Sequence, residues 1–202
     1  MPMAIPIRKG EATRAAILDE ALALASQVGL EGLSIGELAK RLGMSKSGLF
    51  AHFASKENLQ LEVLRSAADR FVEMVIRSAL QKPRGEPRVR ALFENWLAWS
   101  RADFSPGGCL FVSAAVELDD RPGPPRDYLV AAQRDFLGAI ATAARIAVEE
   151  GHFRSDLEPE QFAYDLYSIY LAYHHFSRLL HAPEAEERLR HSFAELLERA
   201  QA

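Results

Sequence analysis

The chain has 202 residues, a formal net charge of −4 and 49% hydrophobic residues. This length and composition predict a folded protein of one or two domains and exclude a fibrous or low-complexity chain. The single cysteine excludes an internal disulfide, and no uncharged stretch reaches the roughly 18–20 residues that cross a bilayer. Because the N-terminus also lacks the apolar segment of a signal peptide, we expect a cytoplasmic location.

The first ten residues are predicted to form an irregular segment, since Pro2 and Pro6 disfavour a helix there. Arg8 and Lys9 make this segment a basic arm that could lie against DNA, although a solvated terminus is the commoner alternative. The first helix is predicted from about residue 13 to residue 28, where apolar residues recur on one helical face. Those residues are Ile17, Ala21, Leu24, Ala25 and Val28.

A capping signal opens the second helix. Ser34 precedes Glu37 by three residues, which is the spacing of a capping box in which each side chain accepts a hydrogen bond from the other residue's backbone N–H. Leu33 and Leu38 flank that cap at the positions of a hydrophobic staple. These signals predict a short helix from Ile35 to about Leu42.

A second short helix comes after a tight turn. Gly43 permits the turn, and Ser45 is a natural N-cap for a helix that reaches about His52. Ala39 lets the two helices approach, and Leu49 fills the angle between them. This combination, within residues 34–53, predicts a helix-turn-helix, with an ordinary pair of surface helices as the alternative.

These residues and their neighbours resemble the N-terminal domain of TetR-type (TetR/AcrR) transcriptional regulators, over about the first third of the chain. The matching residues are Thr13, Arg14, Ile17, Ala21, Gly29, Ser34, Gly43, Ser45, Leu49, Phe50, His52, Phe53, Ser55, Lys56, Glu57 and Leu59. Phe50 stands where the family usually has tyrosine, so a phenyl ring replaces a hydroxyl that could reach a phosphate. The resemblance implies an all-α protein, with a DNA-binding domain over residues 11–71 and an effector-binding and dimerisation domain over residues 72–202.

The start of the recognition helix is where side chains reach base edges, so Lys46, Ser47 and Gly48 are predicted to face the bases. Other residues of the motif are predicted to lie at the DNA backbone, and these are Ser34, Ser45, Phe50, His52 and Lys56. The alternatives are a solvated lysine at position 46 and simple packing of His52 beside Phe53. Residues 1–60 carry a net charge of +1 and the remainder carries −5, so the acidity lies away from this motif.

A long helix is predicted from Ser55 to about Leu80, with Ser55 as its N-cap and Glu57 in its first turn. About 26 residues would span roughly 39 Å. Since no linker separates the helix-turn-helix from the C-terminal part of the chain, this rod can transmit movement between the two parts.

The remaining pattern is also helical and completes an all-α fold. A fifth helix is predicted around residues 89–100, a sixth over 109–118, a seventh over 126–150, an eighth over 159–181 and a ninth over 183–199. Gly151 is placed to end the seventh helix.

Helices seven and eight each carry two apolar stripes, which is more than one side of a monomer can bury. On the seventh they are Leu129, Ala132, Phe136, Ile140, Ala143 and Ala147, and Val130, Leu137, Ala141, Ala144 and Val148. On the eighth they are Phe162, Leu166, Ile169, Tyr173, Phe176 and Leu180, and Ala163, Tyr167, Tyr170, His174 and His181. A homodimer built on these helices as a four-helix bundle satisfies the stripes, and the resemblance implies the same arrangement. The alternative is a seventh helix enclosed within one chain.

The C-terminal domain is predicted to bind a small organic effector, because aromatic residues with a few polar groups are typical of such pockets. The candidates are Trp96, Trp99, Phe104, Cys109, Phe111, Phe136, Tyr167, Tyr170 and His174. Aromatic residues at helical spacing are more often plain core. For Cys109 we favour a small buried hydrophobe, and the alternative is an oxidant or electrophile sensor whose thiolate is stabilised by a helix start. His174 and His175 point about 100° apart on a helix, so no metal site and no cofactor are predicted.

The resemblance implies a repressor that acts as a homodimer on a palindromic double-stranded operator and leaves it when the effector tilts the long helices. An enzyme is the main competing class, but the sequence contains no glycine-rich phosphate loop, HExxH or GxSxG motif. A protein that binds DNA without sequence preference would require a strongly basic chain, which this one is not.

Overall fold

The computed structural model describes residues 9–202, and the predicted basic arm at Arg8 and the Lys9 side chain lies outside the described residues. Within that range the chain forms an all-α fold. The helices are α1 (Lys9–Gly32), α2 (Ile35–Arg41), α3 (Lys46–Phe53), α4 (Lys56–Phe71), α5 (Glu86–Trp99), α6 (Leu110–Leu118), α7 (Pro124–Glu149), α8 (Pro159–Arg178) and α9 (Ala185–Ala200). No helix among these residues has the length and apolar character needed to cross a membrane.

Three serine caps set the start of α2, α3 and α4, as predicted. The Oγ atoms of Ser34, Ser45 and Ser55 accept hydrogen bonds from the backbone N–H three residues later, at 3.1, 3.0 and 3.0 Å. The capping box is only half formed. The Glu37 carboxylate turns to Arg41 on the next turn of α2 instead of returning to the Ser34 N–H, because a cationic partner is within reach there.

Helix α1 covers the helix-turn-helix with the predicted apolar face, except at its C-terminal end. Ile17, Ala21, Leu24 and Ala25 are buried, whereas Val28 is 48% exposed, so its assignment to that face was wrong. The physical reason is the next residue. Gly29 has φ +78° and ψ 167°, which breaks the helix and turns the chain before Gly32.

Helix α4 continues beyond Phe71 as a π-helical segment, Val72–Arg77, and a last α-helical turn, Ser78–Leu80. The predicted rod over residues 55–80 is therefore present, but its hydrogen-bonding register changes at Val72. π-Helical segments are rare in proteins, and those that occur often lie at functional sites.

Both stripes predicted for α7 are buried or half-buried within one chain, as the alternative interpretation held, whereas those of α8 are only partly covered. On α8, Ala163 and Tyr170 of the second stripe are buried in the chain's own core, so that stripe does not form a free face. The exposed apolar residues of α8 and its end are instead Tyr164, Leu171, Phe176, Leu179 and Leu180, and they form what we call the α8 face. The prediction left open which stripe faces the core, and in the structure the first stripe is divided, with Phe162 and Leu166 buried and Phe176 and Leu180 exposed. The packing of α7 and α9 on α8 decides which residues are covered.

The N-terminal helices are packed directly on the C-terminal ones. The Gly107 N–H donates to Ser26 Oγ of α1 at 2.9 Å, and both residues are buried. A Cβ at Gly107 would lie 1.6 Å from the Ser26 carbonyl oxygen, so only glycine permits this approach. Nearby, Glu117 of α6 accepts from the Glu31 N–H at 2.8 Å.

Candidate nucleic-acid interface and ligand cavity

The recognition helix α3 presents its first turn to solvent and buries its opposite side. Lys46 and Ser47 are exposed and Gly48 is half-buried, whereas Leu49 and Phe53 are fully buried. Leu49 therefore fills the angle between α2 and α3, as predicted. The side chains predicted to read bases are free to meet DNA.

Two lysines line the same side of the helix-turn-helix. A Cβ at Gly36 would lie 3.1 Å from Lys46 Cε, so the lysine stem crosses α2 at this glycine. Lys40 lies one turn further along α2 from Gly36 and so shares its face. Within residues 9–202 neither lysine has a carboxylate partner, while the neighbouring Arg41 is paired with Glu20 at 3.2 Å. Lys40 was not among the predicted DNA-binding residues, because the sequence does not distinguish it from Arg41 and only the structure shows which of the two is paired.

The remaining candidates at the DNA backbone have intramolecular contacts. Lys56 Nζ donates to the Glu31 carbonyl oxygen at 2.6 Å, which ties the start of α4 to the end of α1. His52 is half-buried, and its ring lies 6.2 Å from that of Phe53, so it packs as the alternative interpretation held. Phe50 is 50% exposed and so adds little to the core. Ser34 and Ser45 are exposed and are used as caps.

A cavity of about 350 Å³ lies between α4, α5, α6, α7 and α8. Five of the nine predicted effector residues line it, namely Trp96, Cys109, Phe111, Phe136 and Tyr167. Its other polar or charged lining residues are Asp69, Tyr128, Gln133 and Asp135. None of these four was predicted, since each lies next to apolar residues on a helix and only the packing of α4 on α7 brings Asp69 beside the other three.

Four predicted effector residues do not line this cavity. Trp99 is fully buried behind it, and Phe104 packs against Trp99 with ring centroids 5.1 Å apart. Tyr170 is buried beneath Trp96, stacked at 3.5 Å, and donates its hydroxyl to the Trp96 carbonyl oxygen at 3.3 Å. His174 faces a separate hollow beside Gly108. Trp99, Phe104 and Tyr170 therefore pack behind the wall as core aromatic residues, as the alternative interpretation held.

The comparisons with known proteins cover both halves of the chain. Residues 17–63 match the family described as bacterial regulatory proteins, tetR family, and residues 85–193 match the tetracyclin repressor-like, C-terminal domain. The chain belongs to the TetR family. It is therefore a DNA-binding transcriptional regulator of that family.

Individual TetR-family relatives agree with this assignment. The chain is 32% identical over 85 residues to the HTH-type transcriptional repressor AcnR of Corynebacterium diphtheriae, which is 42% of this chain and 45% of that protein. The match spans less than half the length of the curated relatives.

Solved structures share the fold over nearly the whole chain. A TetR regulator from Chloroflexus aurantiacus superposes with a TM-score of 0.83 at 23% identity, covering 95% of this chain and 96% of that one. AibR, solved with isovaleryl coenzyme A and operator DNA, superposes with a TM-score of 0.68 at 22% identity and covers 92% and 98%.

Burial raises the pKa values of two tyrosines in the cavity wall of this TetR-family chain. Desolvation raises the pKa of Tyr167 to about 12, and its hydroxyl donates to Gln133 Oε1 at 3.3 Å. Burial raises the pKa of Tyr128, with the nearby Asp69 carboxylate as the next cause. Both phenols therefore stay neutral at physiological pH and offer hydrogen bonds.

Cys109 forms part of the same wall and is 2% exposed at the start of α6. Burial raises the pKa of its thiol, even though backbone N–H groups of α6 act in the opposite direction. A neutral, enclosed thiol matches the favoured interpretation as a small hydrophobe. Desolvation outweighs the helix start, which disfavours the alternative of a stabilised thiolate.

Proposed function

We propose that this regulator is a homodimeric repressor that binds a palindromic operator and is released by a small organic effector bound in the cavity. The observation that carries the proposal is that α4 belongs to both sites. Its residues Ala68, Asp69 and Phe71 line the cavity, and its first residue, Lys56, follows the recognition helix by three positions. A ligand that displaces this wall acts on a helix leading directly to α3.

The boundary between the two proposed domains, 11–71 and 72–202, coincides with a structural change. It falls between Phe71 and Val72, where α4 passes from α-helical to π-helical hydrogen bonding. Cavity residues stand on both sides of that step. A ligand there can favour one register over the other, and π-helical hydrogen bonding is the less stable arrangement.

A second link joins the cavity wall to the DNA-binding domain. Cys109, Phe111 and Val112 line the cavity, and Gly107 lies two residues before them in contact with Ser26 of α1. Movement of α6 therefore also pushes on α1, which covers the helix-turn-helix. Two connections constrain the recognition helix more firmly than α4 would alone.

Dimerisation supports binding to paired half-sites. The α8 face holds Tyr164 and Leu179, each 66% exposed, and Leu171, 40% exposed. An apolar face of this size on a soluble regulator is explained by a second copy, with α7 beside α8 completing a four-helix bundle. A two-fold dimer places two recognition helices in successive major grooves when they lie about 34–36 Å apart.

The effector must bind the DNA-free conformation more tightly, and DNA must then weaken effector binding by the same factor. To test this, an operator is selected from a random duplex pool and labelled for fluorescence anisotropy. We expect it to bind about 1,000-fold more tightly than a scrambled duplex at about 150 mM salt. Equal affinity for both duplexes would overturn the assignment as an operator-specific repressor.

Compounds that release the operator are then tested on Ala132→Trp, which fills the cavity, and on Ala194→Trp, whose site on α9 is exposed and outside the cavity. We expect Ala132→Trp to hold the operator at compound concentrations that release the wild type and Ala194→Trp. Release of all three proteins at the same concentration would place the effector elsewhere.

A further inference from the structure

The charged residues that line the cavity are all acidic. Asp69 on α4 and Asp135 on α7 are its only described lining residues that carry a charge at neutral pH, and no lysine, arginine or histidine among residues 9–202 lines it. Both aspartates are exposed, which places their carboxylates at the mouth of the cavity. In the part of the chain that the structure describes, neither carboxylate has a hydrogen bond or an ion pair with another side chain.

One cation, Arg65, lies beside a lining residue of the cavity but forms its ion pair with Glu62. Arg65, one turn before Asp69 on α4, places its guanidinium 5.8 Å from the centre of the Tyr128 ring and donates to Glu62 at 2.9 Å. Glu62 also accepts from Arg14 at 2.7 Å, so it offsets part of the Arg65 charge, and among residues 9–202 no ion pair joins Arg65 to Asp69 or Asp135. The contact also shows that the ring of Tyr128, which lines the cavity, already accepts a cation beside it.

The inner walls complement a positive charge as well. Phe136 meets Phe71 and Trp96 edge to face, with ring centroids 4.9 and 4.8 Å apart. Phe111 and Tyr167 complete an aromatic lining. Ring faces attract cations, and apolar walls around two carboxylates concentrate their negative field in the cavity. An anion entering the same space would be repelled at the mouth and find no cationic partner inside.

We propose that the effector is an organic cation with an aromatic or apolar body, drawn in by Asp69 and Asp135 and held by the rings of the cavity. This inference rests on the proposed function, since it concerns the ligand of the same cavity. A volume of about 350 Å³ fits a small ligand of two or three rings.

Three fluorophores test the charge preference on the full chain: thioflavin T, which is cationic, N-phenyl-1-naphthylamine, which is neutral, and 8-anilinonaphthalene-1-sulfonate, which adds one negative charge to the same skeleton. We expect thioflavin T and the neutral dye to bind, and the sulfonate to bind at least about tenfold more weakly than the neutral dye. Ala132→Trp identifies the fraction of each signal that comes from the cavity.

Asp69→Asn and Asp135→Asn remove the charges with little change in shape. We expect each to weaken thioflavin T about fivefold, and the double variant about twentyfold, with the neutral dye unchanged within about twofold. Asp127→Asn is the matched control, because Asp127 is exposed on the same helix as Asp135 but does not line the cavity.

The outcomes separate the ligand class from the function. Cavity binding of the neutral dye, without binding of thioflavin T or without an effect of the double variant, would overturn the cationic effector and leave the effector cavity standing. Sulfonate binding as tight as that of the neutral dye would do the same. If Ala132→Trp removed no signal of any dye, both the ligand class and the proposed effector site would fall.

Discussion

The helix-turn-helix and the cavity are built in opposite ways. The helix-turn-helix is formed by about 20 consecutive residues, since α2 and α3 each begin at a serine cap and Leu49 packs between them. The cavity takes its wall residues from position 68 to position 167, on five helices. The first is a local structure that nearby residues specify, and the second exists only once distant helices have packed.

The two regions also differ in how fully they are packed. The side chains between α2 and α3 are completely buried, as Leu38, Leu49 and Phe53 show. Between α4 and α7 the packing leaves a space of about 350 Å³. Interiors are normally close-packed, so the helix-turn-helix is a rigid unit and the cavity is a region that a ligand can reshape.

The largest effect is expected at the α8 face, where a second copy would join and supply the second recognition helix. Leu171→Glu places a charge in the proposed dimer contact, and loss of the second half-site should weaken operator binding by about 100-fold or more. Light scattering and anisotropy measure the mass and the affinity. Leu80→Glu is the control, because Leu80 is an exposed leucine away from that face. A variant that stays dimeric would show that another surface joins the subunits.

A large loss of stability is expected when the packed helix-turn-helix is opened. Leu49→Ala should lower the free energy of unfolding by about 2–5 kcal/mol, because it leaves a cavity at a fully buried site. Phe136→Ala, in the wall of an existing cavity, should cost only about 1–2 kcal/mol, since the ring is half-buried. Urea titration compares the two. Equal losses would contradict the difference in packing.

A moderate effect is expected for the DNA contact. Lys46→Ala should weaken operator binding about tenfold, and it should also lower the salt dependence of binding by about one counterion if the lysine reaches a phosphate. Lys82→Ala is the control, because Lys82 is an exposed lysine beyond the far end of α4. Anisotropy titrations at several salt concentrations measure both quantities. An unchanged affinity would mean that Lys46 is merely solvated.

The smallest effect is expected from His174, outside both regions. Burial lowers the pKa of this histidine below its ordinary 6.5, with Arg178 and His175 acting in the same direction. The unfolded chain therefore binds the proton more readily, so stability should fall as the pH drops from about 6.5 towards the lower folded-state pKa. His174→Gln should reduce that slope, while His191→Gln, at an exposed site on α9, should not. Thermal unfolding at several pH values measures the slope.

Sequence patterns predicted the helices because their signals are local. The caps at Ser34, Ser45 and Ser55 and the turn at Gly43, whose φ is +62°, are present where expected. The same reasoning failed at Val28, where Gly29 turns the chain, and at the C-terminal end of α8, which stops at Arg178. No residue pattern in the sequence predicts the π-helical segment after Phe71.

The candidate cavity was predicted less completely than the helix-turn-helix. Aromatic residues on α5 to α8 indicated a pocket, but they did not distinguish Trp96, which lines it, from Trp99, which lies behind it. In sequence Asp69 and Asp135 are ordinary solvated carboxylates, and they line the same cavity only because α4 packs on α7.

The amino-acid sequence by itself determined the helices, their caps and the family, because each depends on residues a few positions apart. Only the tertiary structure decided which side of α8 is covered, where the cavity lies and which charged residues lie at its mouth. Those features arise from the packing of helices up to about 100 residues apart, and local side-chain preferences do not encode that packing.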